Sequence, residues 1–361
     1  MSNLLHLSAN MYRPEINFAD HTAKIWRELS KDFDEYHVLG RSIDNHFHNV
    51  DEGNIHLHLI PKIARSQSTF VISSLLLPHF VKKYKIDVIL AQSSVAGGLS
   101  AVIAKKMYGC KLLTEIHGEE YFTRYQRSWI LRSIRDFTFR NSDKIRALSP
   151  KMVEKLNKIG FSENIYIVPN RVNLKLFNKP KENQEINGVV KLISVGRFWE
   201  AKNYTFLLNN IDNLKFPFHL KLIGGGRLKS SYEAIIREKG LEEKVTLIDS
   251  VPQEMLVKEL YSSNIYVQSS IQEGVPRTII EAMGMRLPII TTNVGSIEGI
   301  IVDGYNGLLC EPNSTVLFDL LNKMALDQAL REKLANNAYE DARTKYDWDI
   351  AFQKYHEFLK V

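Results

Sequence analysis

Short apolar runs alternate with helix-length stretches along both halves of the chain, and that order constrains the fold more than any single motif. In the first half, "LLHLSA", "YHVLGR", "NIHLHLIP", "IDVILAQ", "CKLLTEIHG", "DKIRALS" and "NIYIVPN" have the apolar, β-branched character of strands. Between them lie helical segments such as "FADHTAKIWRELSKDF", with Ala23, Trp26 and Leu29 on one stripe, and "GGLSAVIAKKMYG". The second half repeats the pattern with "VVKLISVGR", "FHLKLIGGG", "VTLID", "IYVQSS" and "LPIITTN". Strands alternating with helices predict a parallel sheet covered on both faces, here built twice. A length of 361 residues suits two such domains. The polar stretch "NKPKENQEING" (178–188) reads as their connection. The expected division is an N-terminal domain over 1–173 and a C-terminal one over 174–346. An amphipathic tail helix at about 347–361 is expected to pack back on the first.

Composition narrows the class. Cys110 and Cys310 are 200 positions apart and fit no metal or redox motif, so they read as reduced thiols of a cytoplasmic protein. The N-terminal residues lack the marks of a signal peptide. The apolar stretches "FVISSLLLPHFV" and "VILAQSSVAGGLSAVIA" are too short or too interrupted to span a membrane. The formal net charge is +6, and all of the excess lies in residues 1–170, which hold 23 Lys and Arg against 17 Asp and Glu. Much of it falls between Arg124 and Arg146. In "RYQRSWILRSIRDFTFR" arginines are interleaved with Trp129, Ile130, Leu131, Phe137 and Phe139. A solvated helix with one packed face accounts for this segment, and so does docking on an anionic lipid surface. No nucleic-acid-binding motif is present.

Open α/β sheets hold ligands beyond the carboxyl ends of their strands. Three second-half segments fall there: Gly196, Arg197 and Lys202 after "KLISVG"; Gly224, Gly225 and Gly226 after "LKLIG"; and "QEGVPRTIIEAMG" (272–284) after "IYVQSS". In the last, Gly274 and Pro276 mark a helix start, proline being suited to the first helical position. The N–H groups of Arg277, Thr278 and Ile279 would then be free for an anion, with Arg197 and Lys202 adding charge. Glu273 and Glu281 are acceptors, suited to hydroxyls rather than phosphate. An anionic centre flanked by hydroxyls describes a nucleotide sugar. The competing reading makes Glu281 an intrahelical partner of Arg277, leaves His117 a structural histidine and reduces the three glycines to a turn.

Glu273 to Glu281 resembles the E-x7-E motif of retaining GT-B glycosyltransferases of the family-4 type. "VGRFWEAKN" resembles their diphosphate segment, "LPIITTNVGS…VDGYNGLL" the block after it, and "TEIHG" the strand whose histidine lines the donor-sugar pocket. The resemblance implies a GT-B fold, two Rossmann-like domains facing each other across a cleft. It also implies that Arg197 and Lys202 hold the donor diphosphate, that Glu281 binds the ribose and Glu273 the sugar hydroxyls, and that His117 sits near the reacting centre. Gly274, Val275 and Pro276 would shape the turn over sugar and phosphate, and Thr278 and Ile279 would offer backbone donors. Three features depart from the family pattern, one of them Gly299 where a glutamate is usual, with Glu298 one position early. "SANMYRPEIN" stands where a glycine-rich loop usually follows the first strand, and Asn170, Arg171, Val172 and Asn173 replace an Asn-Gly-Val-Asp hinge.

The expected function is transfer of a sugar from a UDP- or GDP-sugar to a hydroxyl of a glycan or lipid-linked acceptor in bacterial surface polysaccharide synthesis. The rivals are an epimerase or hydrolase on the same fold and a non-catalytic nucleotide-sugar-binding subunit. "DFD" (32–34) and "DWD" (347–349) imitate an Asp-x-Asp metal motif, but Asp347 reads as a helix cap. No metal and no other cofactor is expected, and no nucleic-acid partner.

Overall fold

The computed structural model describes residues 2–18, 20–61, 76–118, 122, 124–178, 186 and 188–360. Most of the predicted connection at 178–188, and the start of "FVISSLLLPHFV", lie outside them. The chain divides into two compact units, Met1–Val168 with Phe352–Val361 and Pro169–Ala351.

The first unit is built on a sheet of β1 (Leu4–Tyr12), β2 (Tyr36–Ser42), β3 (His48–Glu52), β4 (Ile55–Ile60), β5 (Val88–Ala91), β6 (Lys111–Glu115), β7 (Lys144–Ala147) and β8 (Ile165–Ile167). Their spatial order is β3-β4-β2-β1-β5-β6-β7-β8. All neighbours are parallel except β3, which pairs antiparallel with β4 at the edge. One face buries Leu5, Leu7, Leu39, Ile89 and Leu112 against Leu77, Val81, Ala101 and Val102 of the covering helices. Sequence alternation missed β3 because "HNVDE" carries little apolar character, as an exposed edge allows.

The second unit holds β9 (Val190–Val195), β10 (Phe218–Ile223), β11 (Val245–Ile248), β12 (Ile265–Gln268), β13 (Ile289–Thr292) and β14 (Leu308–Cys310). Their order is β11-β10-β9-β12-β13-β14, all parallel. Counted within the unit this is 3-2-1-4-5-6, the Rossmann order, and it reverses between β9 and β12. Leu192, Leu220, Leu222, Ile265, Val267 and Ile290 meet Leu207, Leu208, Leu317, Phe318 and Leu321 in its core. Each such side chain contributes about 1.5–3 kcal/mol by leaving water. Cys110 and Cys310 are buried free thiols, one in each unit.

Where a glycine-rich loop was sought after the first strand, β1 instead runs on to Tyr12 and pairs Met11 and Tyr12 with Arg41 and Ser42 of β2. The Tyr12 ring lies where a Cβ on Gly40 would be, 2.6 Å from that position, and its hydroxyl is 2.6 Å from Ser8 Oγ. The strand thus fills the place of the loop.

Candidate active site

The reversal of strand order in the second unit brings the ends of β9 and β12, at Val195 and Gln268, side by side although 73 positions separate them in sequence. Beyond β9 the chain makes the loop Gly196–Trp199 and a short 3-10 turn, Glu200–Lys202. The side chain of Lys202 folds back over Gly196 so closely that a Cβ there would lie 2.4 Å from Lys202 Cε. Lys202 Nζ then donates to Glu273 Oε1 at 2.6 Å, and both side chains are largely buried. Ser270 Oγ donates to the same oxygen at 2.6 Å, and Ser269 Oγ donates to the Lys202 carbonyl at 3.0 Å. Arg197 is exposed beside them, 5.9 Å from the Trp199 ring centre, with no carboxylate partner among the described residues.

Two of the three glycines after β10, Gly224 and Gly226, are required by this loop rather than by a free turn, whereas Gly225 has room for a side chain. A Cβ on Gly224 (φ +155°) would lie 2.0 Å from the Gly196 carbonyl oxygen, and one on Gly226 2.6 Å from that of Phe198. Phe198 N–H in turn donates to the Gly225 carbonyl at 2.9 Å. Backbone packs on backbone here, which only glycine allows.

Glu273 opens the segment that crosses to the helix Arg277–Gly284. The Gly274 carbonyl accepts from Ser296 N–H at 3.3 Å, and the Val275 carbonyl from Asn170 Nδ2 at 2.7 Å. Pro276 is the N-cap (φ −70°, ψ 118°), and the helix runs on from it at Arg277. The N–H groups of Arg277, Thr278 and Ile279 occupy the first turn, where no intrahelical acceptor exists. Thr278 Oγ1 accepts from the buried Tyr266 hydroxyl at 2.9 Å. Burial raises the Tyr266 hydroxyl well above its ordinary pKa, with Tyr204, Glu273 and Glu281 adding to the effect. Tyr266 therefore stays a neutral donor beneath the helix.

Glu281 is buried one turn along that helix, 3.7 Å from the Arg277 guanidinium. Burial raises its pKa to about 7, and Arg277 offsets only part of the effect. The intrahelical pair exists, but at this distance it is too weak to be the reason for a buried carboxyl.

His117 belongs to the other unit, two residues beyond the end of β6, half-exposed, with Nε2 2.9 Å from Glu115 Oε2. Arg197, Lys202, Gly274, Val275, Pro276, Thr278, Ile279, Glu273 and Glu281 all lie in the second unit. Sequence reasoning did not single out Asn170's hold on the loop, nor Ser270 and Tyr266. The seryl pair after "IYVQ" and the tyrosine within it were the only signals.

Profiles of two families match the chain: Glycosyl transferases group 1 over residues 177–341 and Glycosyltransferase Family 4 over residues 19–176. The chain belongs to the family-4 glycosyltransferases. An uncharacterized glycosyltransferase of Methanocaldococcus jannaschii is 24% identical over 319 residues, spanning 87% of this chain and 86% of that protein. The amylovoran biosynthesis glycosyltransferase AmsK of Erwinia amylovora is 25% identical over 312 residues, covering 80% and 74%. Among solved structures, sucrose-phosphate synthase from Thermosynechococcus elongatus superposes with a TM-score of 0.83 at 17% identity, covering 99% of this chain and 98% of that one. Anabaena HepE in complex with UDP-glucose gives 0.78 at 16% identity, with 99% of each chain covered. The fold of this family-4 glycosyltransferase is GT-B, with two Rossmann-like units.

Within the basic segment the cations divide into buried and exposed ones. In this glycosyltransferase Arg135 is buried against Asp136 (2.6 Å) and Arg146 against Glu115 (2.5 Å), while Lys144 Nζ donates to backbone carbonyls at the end of the helix Trp348–Leu359. Arg127, Arg132 and Arg140 are exposed, together with Trp129, Ile130 and Phe137. The side chain of Arg124 lies outside the described residues. No helix among the described residues is long and apolar enough to cross a membrane. In the two Asp-x-Asp segments, Asp32 bonds His356 and Asp349 faces Lys175 at 3.6 Å. Among the described residues no group of three or more His, Cys, Asp and Glu is placed to hold a metal ion.

Proposed function

We propose that this glycosyltransferase moves a sugar from a nucleoside diphosphate to an acceptor hydroxyl with retention of configuration and without a metal ion. The observation that carries the reading is the Lys202–Glu273 contact at the sheet's switch point, beside Arg197 and the first turn of the helix Arg277–Gly284. A cation, free N–H groups and acceptor carboxylates converge there, which is the chemistry of a diphosphate with a sugar on each side.

Arg197 and Lys202 take the diphosphate, with the backbone donors of Thr278 and Ile279. Gly274, Val275 and Pro276 shape the turn over sugar and phosphate. Glu273 accepts from the sugar hydroxyls and Glu281 from the ribose, and His117 acts at the donor sugar. In the reaction the acceptor oxygen attacks the anomeric carbon on the face from which the diphosphate leaves. The carbon–phosphate oxygen bond breaks, and the departing phosphate takes the acceptor's proton. The protein's contribution is placement and stabilisation of the leaving charge.

The base is taken as uridine ahead of guanosine, in line with the UDP-glucose named for the Anabaena structure. The acceptor is a hydroxyl of a glycan or a lipid-linked glycan of a bacterial surface polysaccharide, in keeping with the amylovoran role named for the Erwinia relative. A membrane-apposed location of a cytoplasmic protein is part of this reading, supported by exposed arginines among Trp129, Ile130 and Phe137, each basic residue adding about 1 kcal/mol near an anionic surface.

The test is turnover of UDP- and GDP-sugars followed by NMR, with and without glycan acceptors and with a chelator present. Transfer with retained configuration, insensitive to chelation and abolished by Arg197→Ala or Lys202→Ala, supports the reading. Near-normal turnover in both variants overturns it.

A further inference from the structure

A layer of polar side chains is buried inside the first unit, and among the described residues it reaches the surface at His117. Register puts His6 (β1), Leu90 (β5), Leu113 and Glu115 (β6), and Lys144 and Arg146 (β7) on one face of the sheet, with Glu115 directly opposite Arg146. Glu115 and Arg146 are almost wholly excluded from water and meet at 2.5 Å. The Arg146 guanidinium also donates to the Val168 carbonyl at 3.0 Å and lies 4.4 Å from the ring centre of Tyr355, in the helix Trp348–Leu359. The Tyr355 hydroxyl donates to Glu115. Burial pushes the Glu115 carboxyl up, but Arg146, then His117, hold it well below the usual range. His6 is buried nearby and bonded through Nδ1 to the Tyr36 hydroxyl at 2.6 Å; burial lowers its pKa to about 4, so it stays neutral.

A buried ion pair is a weak way to hold two strands together, since desolvation offsets most of its attraction and apolar neighbours would do as well. Glu115 and Arg146 therefore call for another reason, and the geometry supplies one. The oxygen of Glu115 not bonded by Arg146 and Tyr355 is Oε2, and it faces His117 Nε2 at 2.9 Å.

We propose that Glu115 is a positioning residue for His117, and that Arg146 and Tyr355, both bonded to Oε1, hold Glu115 aimed for that task. An ionised carboxylate only accepts, so the His117 nitrogen facing it, Nε2, carries a proton and donates. The consequence for turnover rests on the proposed action of His117 at the donor sugar; the positioning itself does not.

The test is a variant in which the three partners become apolar together, Glu115→Leu with Arg146→Met and Tyr355→Phe, which leaves no unpaired buried charge. The wild-type protein is expected to show a slowly exchanging, downfield ring N–H of His117, identified by its loss in His117→Asn. In the triple variant that resonance disappears while the cooperative melting transition remains. Turnover of whichever of UDP-glucose and GDP-mannose is consumed falls about tenfold or more, in kcat rather than KM. A single Tyr355→Phe, which removes one hydroxyl, provides a milder variant that weakens the resonance if the triple fails to fold. Absence of the resonance from the wild type, or its survival in the folded triple variant, overturns the proposal. So does a folded triple variant with wild-type kcat when His117→Asn has lost it. If His117→Asn itself turns over normally, the assignment of His117 to the donor sugar fails, and the resonance alone decides the positioning.

Discussion

Lys202 Nζ lies 2.6 Å from Glu273 Oε1, although 71 residues separate them, because β9 and β12 are neighbours at the point where strand order reverses. Each holds the other in a shape the chain could not enforce singly. Lys202→Ala leaves Glu273 partly buried without its cation, at a cost of about 1–3 kcal/mol. Turnover is expected to fall by about 10²–10³ through loss of the diphosphate contact. In a double-mutant cycle, Lys202→Met with Glu273→Gln should be less destabilised than the sum of the single changes, by about 0.5–3 kcal/mol. Urea unfolding of the four proteins measures this coupling, and strict additivity would contradict the contact.

Two glycines in the same loop system should respond in opposite ways. At Gly196 a new Cβ meets the far end of the Lys202 side chain, which can move. Gly196→Ala is therefore expected to keep the melting temperature within a few degrees and to lose turnover, because Lys202 is displaced from Glu273. At Gly224 the obstacle is backbone, the Gly196 carbonyl oxygen, and φ is +155°. Gly224→Ala should cost more than about 2 kcal/mol, as strain at a special backbone position does. Thermal melts beside an activity assay separate a local displacement from a folding defect.

The second unit's strands, the E-x7-E spacing and the basic bias of the first half were legible because they are local. Strands β9 to β13 carry dense apolar runs, whereas β14 has only three residues, "LLC", and gave no separate signal. What the sequence could not tell was set by sheet order and packing. Arg135 and Arg146 look like surface cations beside Arg132 and Arg140 until the fold places them against Asp136 and Glu115. Gly224 and Gly226 look like parts of a turn until the loop 196–199 is laid across them. His117 was legible through "TEIHG", and Glu115 stands in the same motif, but Tyr355 reaches it from 240 residues away.

The exposed part of the basic helix is a narrower surface than the sequence implied, and this sharpens the membrane test. Flotation with vesicles containing anionic lipid should be salt-sensitive and lost in Arg132→Glu with Arg140→Glu, whose side chains face solvent. Arg135→Glu should instead lower the melting temperature, since it places a buried charge against Asp136. Salt-independent flotation, or its persistence in the double variant, would remove the membrane proposal.

Glu281 should make both stability and donor affinity depend on pH near neutrality. Its pKa is raised by burial to about 7 in the folded protein, against an ordinary glutamate value of 4.5. The folded state thus binds the proton more tightly than the unfolded one. The resulting stabilisation is complete below about pH 4.5 and is lost as pH rises through about 7, at most about 3 kcal/mol in total. Glu281→Gln should remove this slope and leave the protein more stable than wild type at pH 8. Donor binding has the opposite sign if the ionised carboxylate is what accepts the ribose hydroxyls. Affinity for UDP should then rise about tenfold from pH 6 to pH 8 in the wild type, following the ionised fraction. Calorimetric titration across that range checks the sign, and an affinity that falls with pH, or stays flat in the wild type, would detach Glu281 from the nucleotide.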